Sequence, residues 1–129
     1  ATQEAVAYLT MREYGNQYAG DRLLPTTPFE QLDELADAVA KCPPKAYVDT
    51  VRAIFTVDYS DALGKVTAPT LVLIGEEDDA TPLPESEFIF AGIKGAELKT
   101  IPGAGHLSNI DNADGFNAAI STFLDAQTG

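Results

Sequence analysis

The sequence predicts an α/β fold whose parallel sheet is incomplete, and three observations carry that expectation. Thr70 to Ile74 is a strand-length segment, apolar from Leu71 onward and bounded by Pro69 and Gly75, as a parallel strand covered on both faces would be. Downstream, a helical stretch from Pro84 to Ile93, a second strand at Glu97 to Ile101 and a helix from Asn112 to about Ala126 complete a strand, helix, strand, helix order. That order is typical of parallel strands joined by a right-handed crossover. Upstream there is only helical periodicity, so the chain divides into a helical segment over 1–60 and an alternating segment over 61–129.

The helical segment opens with Thr2 to about Tyr18, where Ala5, Val6, Leu9 and Tyr14 recur at loosely helical spacing and Gly15 and Gly20 punctuate the end. Gly20 to Pro28, with its prolines and threonines, reads as a loop. Thr27-Pro28-Phe29-Glu30 then has the form of a capping box, with a hydroxyl for the N3 amide, Pro at N1 and Glu to reach back. The helix it starts presents Leu32, Leu35, Ala36 and Val39 on one face. Cys42-Pro43-Pro44 stops it, because proline disfavours helical geometry in the residue before it. From Pro44 a third helix carries Tyr47, Val48, Val51, Ile54 and Phe55 at i, i+3, i+4, i+7 spacing. A short turn or helix around Ser60-Asp61-Ala62-Leu63 leads into the alternating segment.

In that segment the last helix has the clearest pattern, with Asp111 as its cap and Phe116, Ala119, Ile120, Phe123 and Leu124 as its buried stripe. The first strand poses a difficulty. Leu71, Val72, Leu73 and Ile74 each favour burial by about 1.5–3 kcal/mol, with hydrogen-bonded neighbours along both edges. Two strands cannot supply that cover. The sheet is therefore expected to be completed from outside these 129 residues, by a second copy of the chain, or by rearranged helices.

Composition narrows the partners. Hydrophobic residues make up 45% and charged residues 22% of the chain, which excludes a disordered polyelectrolyte. Eight Lys and Arg against 20 Asp and Glu leave a net charge of -12. Such a field repels phosphate, so neither nucleic acid nor an anionic membrane is an expected partner. No apolar run approaches the ~18 residues of a spanning helix, and no leader-like segment opens the chain. The single cysteine, Cys42, excludes an internal disulfide and fits a reducing, cytoplasmic compartment.

Chemistry is expected where the two strands end, because sites in open parallel sheets form outside the carboxyl ends of the strands. Asp78 lies four residues past Ile74, and His106, the only histidine, lies five past Ile101. A carboxylate accepting from one ring nitrogen would fix the imidazole tautomer and stabilise the imidazolium, leaving the other nitrogen to take a proton from a nucleophile. Duller readings compete. His106 could be a structural residue at the approach to a helix, the acid could be Glu76, Glu77 or Asp79, and the acidic turn could be merely solvated. Those acids with Glu85 and Glu87 could hold Ca²⁺ or Mg²⁺, but they lack the spacing of a known loop, so no metal or other cofactor is expected. Cys42 reads as core filler rather than nucleophile, and Ser108 and Asn109 as structural residues that bond the loop or cap the last helix. Arg12, Arg22 and Arg52 read as surface cations, although each could meet an anionic substrate.

Pro69-Thr70-Leu71-Val72, Gly75-Glu76-Glu77-Asp78, Thr81-Pro82 and Gly105-His106 stand in the order and spacing of the C-terminal part of an α/β-hydrolase, which residues 43–125 resemble. The phrase His106-Leu107-Ser108-Asn109-Ile110, with Pro43-Pro44-x-x-Tyr47 upstream, is similar to the 3-oxoadipate enol-lactonase branch of that family. The resemblance is fairly specific over 69–125, weak over 43–68 and absent over 1–42. It implies that Asp78 is the acid and His106 the base of a catalytic triad, and that residues 1 to about 60 belong to a lid that shapes the substrate pocket. One departure matters. The family nucleophile sits in a Gly-x-Ser-x-Gly elbow ahead of the acid, and none of Ser60, Ser86, Ser108 and Ser121 has the required glycines. The oxyanion hole, built partly from the amide after that serine, is missing with it. The resemblance thus implies the C-terminal part of a serine hydrolase for a carboxylic ester or enol-lactone. Its serine would come from a complementary N-terminal chain, separate or removed, or its sheet from a second copy of itself. The alternative is a non-catalytic α/β-hydrolase-like binding domain, as an intertwined homodimer.

Overall fold

In the computed structural model, which describes residues 10–128, the first helix, α1 (Met11–Arg22), begins on a capping box. The Glu13 N–H donates to Thr10 Oγ1 at 3.2 Å, and the Glu13 carboxylate accepts from the Thr10 N–H and hydroxyl, both at 2.8 Å. The Thr10 N–H first, and its hydroxyl next, hold the Glu13 carboxyl below its ordinary value. The expected helical stretch Thr2 to Leu9 falls outside the described residues. The helix does not end at Gly15 or Gly20 but runs through both. Gly15 is there for packing: a Cβ would lie 2.5 Å from the Ala36 carbonyl oxygen in the second helix, α2 (Phe29–Ala40). The absent side chain lets the two backbones touch.

The capping box expected at Thr27 does not form. Pro28, at φ -55° and ψ 142°, stands outside α2 as its cap, so Glu30 falls one position short of N3 and no side-chain cap bond is made. Tyr14, Ala19, Leu23, Ala36 and Val39 form the buried apolar centre of this unit, which spans Ala1–Asp58. Arg12 pairs with both Asp33 and Asp37, one turn apart on α2. The third helix, α3 (Pro44–Ile54), sets the Tyr47 hydroxyl 3.0 Å from that of Tyr14, with the rings edge to face at 5.3 Å. Burial, followed by the Tyr14 hydrogen bond, pushes the Tyr47 phenol above its ordinary value, so it stays neutral. Two further expectations fail in this unit. Ile54 and Phe55 are exposed at the end of the α3 stripe, and Cys42 is exposed rather than core filler because it sits past the end of α2 where the chain turns out toward the proline pair.

The second unit, Tyr59–Gly129, has the alternating order. A 3₁₀ helix, η1 (Ser60–Lys65), leads to strand β1 (Leu71–Gly75), helix α4 (Leu83–Gly92), strand β2 (Glu97–Ile101), a one-turn helix α5 (Ser108–Asp111) and helix α6 (Ala113–Thr128). The strands pair in parallel, with Leu71 opposite Glu97 and Gly75 opposite Ile101. Ile74, Ile93, Ile101 and Ala104 are buried, whereas Leu71, Val72 and Leu73 are only half covered. The same shortage of cover leaves Phe88 of α4 at 55% exposure, and it overturns the expected burial of the α6 stripe. Phe116, Ala119, Ile120 and Phe123 are half covered there, and Leu124 is 54% exposed. A two-stranded ladder is too narrow to cover what these elements offer it. Asn112, rather than Asp111, caps α6 by accepting the Gly115 N–H at 2.9 Å. Among the described residues no helix is long and apolar enough to cross a membrane.

Candidate active site

The site is built by two loops that leave the same edge of the sheet and are tied together before any side chain acts. The Glu76 N–H donates to the Ile101 carbonyl and the Glu77 N–H to the Ala104 carbonyl, both at 2.9 Å. So close an approach needs glycine at residue 75, where a Cβ would stand 2.1 Å from the Gly105 carbonyl oxygen and 2.3 Å from that of Ala104. On the β2 side the chain reverses at Gly103, at φ +58°, whose N–H donates to Glu76 Oε2 at 3.3 Å.

Within this frame the β1 loop folds around Asp78. Its Oδ1 accepts the Ala80 N–H at 2.9 Å and the Thr81 N–H at 3.0 Å, and its Oδ2 accepts the Thr81 hydroxyl at 3.0 Å. This is the local turn that a short carboxylate makes with its own following backbone. From the other loop His106 brings Nδ1 to 3.1 Å from Oδ2 and 3.2 Å from Oδ1. An ionised carboxylate only accepts, so Nδ1 carries the proton and donates. The Asp78 side chain is 6% exposed and that of His106 29%. Burial works to raise the Asp78 pKa, but the Thr81 N–H, His106 and the Thr81 hydroxyl together outweigh it and hold the carboxyl below its usual range.

The far side of the histidine loop is pinned as well. The Gly105 N–H donates to Asp111 Oδ2 at 2.9 Å, and Asn112 Nδ2 donates to the Pro102 carbonyl at 2.9 Å. The structure therefore brings Asp78 and His106 into contact and leaves the rival acids apart from the ring. Glu76 is engaged by Gly103, while Glu77 and Asp79 are exposed. Ser108 is buried at the start of α5 and Asn109 is exposed. Of the arginines, Arg12 is held by Asp33 and Asp37, Arg22 lies 5.5 Å over the Tyr18 ring, and Arg52 is exposed. Among the described residues no group of three His, Cys, Asp or Glu is placed to hold a metal ion. Sequence reading missed three contributors. Thr81 is visible only as part of a motif, Asn112 only as the first residue of the last helix, and Asp111 is expected as the cap that Asn112 in fact provides.

A pH dependence follows from the depressed Asp78 carboxyl. A group whose folded pKa lies below its unfolded value adds stability that is complete above the unfolded pKa and is lost as pH falls through the folded one. Urea midpoints are therefore expected to drop as pH falls through and below the ordinary aspartate range, about pH 4, and Asp78→Asn to flatten that part of the profile. Identical slopes in the two proteins would remove Asp78 from the balance.

No profile of a known protein family matches the chain. Superposed on the crystal structure of the enol-lactonase from Burkholderia xenovorans, the chain aligns over 96% of its own length and 48% of that chain, with a TM-score of 0.86 at 21% identity. In sequence it is 30% identical over 107 residues to 3-oxoadipate enol-lactonase 1 of Acinetobacter baylyi, covering 83% of this chain and 37% of that protein. The chain has the fold of an α/β-hydrolase. A further relative of this α/β-hydrolase chain, the non-heme chloroperoxidase of Burkholderia pyrrocinia, is 35% identical over 83 residues, which is 64% of this chain and 30% of that protein. The α/β-hydrolase fold is present here in part, since the chain spans about a third of the length of those two curated relatives and about half of the aligned structure.

Proposed function

We propose that this chain supplies the acid, Asp78, and the base, His106, of a serine hydrolase acting on a carboxylic ester or lactone, with the nucleophilic serine outside these 129 residues. The observation that supports it is the Asp78–His106 pair at 3.1 Å, on adjacent strand ends, with the acid ionised and the ring partly open to solvent. With Nδ1–H committed to Asp78, Nε2 is the nitrogen that takes the serine proton as the oxygen attacks the acyl carbon. The ring then gives that proton to the departing alcohol or enol oxygen. Water repeats the sequence on the acyl-enzyme, the serine regains its proton, and the carboxylic acid leaves. Asp78 stays ionised throughout and stabilises the imidazolium. The half-covered faces of Leu71, Val72 and Leu73 support the same reading, since a preceding segment that completed the sheet would cover them.

A fluorophosphonate probe tests this directly. The 129-residue chain alone is expected to stay unlabelled, and the protein completed by its preceding segment to take one label on a serine of that segment. Label on Ser60, Ser86, Ser108 or Ser121, or none on the completed protein, would overturn the proposal.

A further inference from the structure

The backbone donors to Asp78 come with the turn and would be present whatever side chain followed. The Thr81 hydroxyl is different, because it lies 3.0 Å from Asp78 Oδ2 and 3.3 Å from His106 Nδ1, touching both members of the pair. A hydroxyl has one proton to give and lone pairs with which to accept. If it gives the proton to the carboxylate, its lone pairs face Nδ1 beside the two carboxylate oxygens, and only a ring protonated at Nδ1 is welcome there. If it gave the proton to a bare Nδ1, the carboxylate would lose a donor and the ring would hold its proton at Nε2, the wrong nitrogen for a base. The shorter distance to Oδ2 and the negative charge on the carboxylate decide for the first arrangement.

We propose that Thr81 is a positioning residue of the acid–base pair, its hydroxyl bridging Asp78 and His106 so that the ring is held in the Nδ1–H tautomer. The importance of this role rests on the reading of Asp78 and His106 as a catalytic pair. Threonine suits the task better than a freer side chain because branching at Cβ restricts its χ1. Thr81 is itself exposed, so its replacement removes little packing.

His106 is the only imidazole in the sequence, so nitrogen-15 correlation spectra of the histidine-labelled chain read its tautomer without ambiguity. In the neutral ring, Thr81→Val is expected to lower the ratio of Nδ1–H to Nε2–H several-fold. It is also expected to move the Asp78 carboxyl titration up by about one pH unit, the size of one hydrogen bond to a charged group at a partly open site. Thr81→Ser, which keeps the hydroxyl, should restore both, whereas a merely structural threonine would be replaced as well by valine as by serine. Should Thr81→Val fold poorly, Thr81→Ala gives the same readings without a branched side chain. An unchanged tautomer ratio and titration in the hydroxyl-free variants would overturn the proposal. These readings need no nucleophile. A tautomer shift without fluorophosphonate labelling of the completed protein would therefore sink the hydrolase reading alone, and labelling without a tautomer shift would sink the role of Thr81 alone.

Discussion

Replacing His106 by alanine is expected to cut ester turnover of the proposed hydrolase, completed by its preceding segment, by about four to six orders of magnitude. Without the imidazole the serine has no acceptor for its proton, and the leaving oxygen has no donor. Part of the rate would survive, because an oxyanion hole and substrate binding act without the base. Folding should hardly change. The ring is 29% exposed, and Asp78 keeps the Ala80 N–H, the Thr81 N–H and the Thr81 hydroxyl as donors. The two quantities are measured separately, as initial rates on an activated ester and as urea midpoints. Esterase activity within tenfold of the parent would remove His106 from the chemistry.

Gly75→Ala is expected to do the reverse, with its first effect on the fold. Gly75 does not adopt a left-handed backbone, so the reason for glycine is space rather than torsion. The atoms a methyl group would meet, the carbonyl oxygens of Gly105 and Ala104 and the Ala104 carbonyl carbon, are all backbone and cannot swing aside. Relief would require the loops to part, breaking the bonds from the Glu76 and Glu77 amides. Overpacking of about 1–3 kcal/mol and two lost hydrogen bonds at about 0.5–1.5 kcal/mol each give a loss of about 2–6 kcal/mol. That is a large share of the stability of a small domain. The urea midpoint should fall sharply, and the His106 nitrogen spectrum should lose the signature of its carboxylate partner. An unchanged midpoint would mean that the loops have room that the distances deny.

The strands, the crossover helix and the closing helix were legible because their signals are local. Leu71 to Ile74 between Pro69 and Gly75, and the apolar spacing of α6, lie within single elements. Asp78 and His106 could be paired on paper because parallel strands place their exits side by side, and the register of Gly75 opposite Ile101 does so here. What escaped was decided by position to within one residue or by contact between segments. Thr27 and Glu30 have the composition of a capping box, but the extended Pro28 shifts the helix by one position and undoes it. Thr10 and Glu13 have the same composition and do form one. Asp111 and Asn112 are neighbours of similar chemistry, and only the path of the loop decides which caps α6 and which holds the Gly105 amide. The exposure of Leu124 and Phe55 was hidden because periodicity gives the face of a helix that seeks cover, not whether cover exists.

The parallel register has a consequence for quality control. Asp78 and His106 are 28 residues apart and meet only because β1 and β2 are aligned as they are. A slip by one residue would carry one loop about 3.3 Å past the other and reverse the faces of the slipped strand. The 3.1 Å contact could not survive that displacement. On the proposed reading a misaligned chain would be chemically silent, so esterase activity of the completed protein would certify the alignment of the strands beneath it.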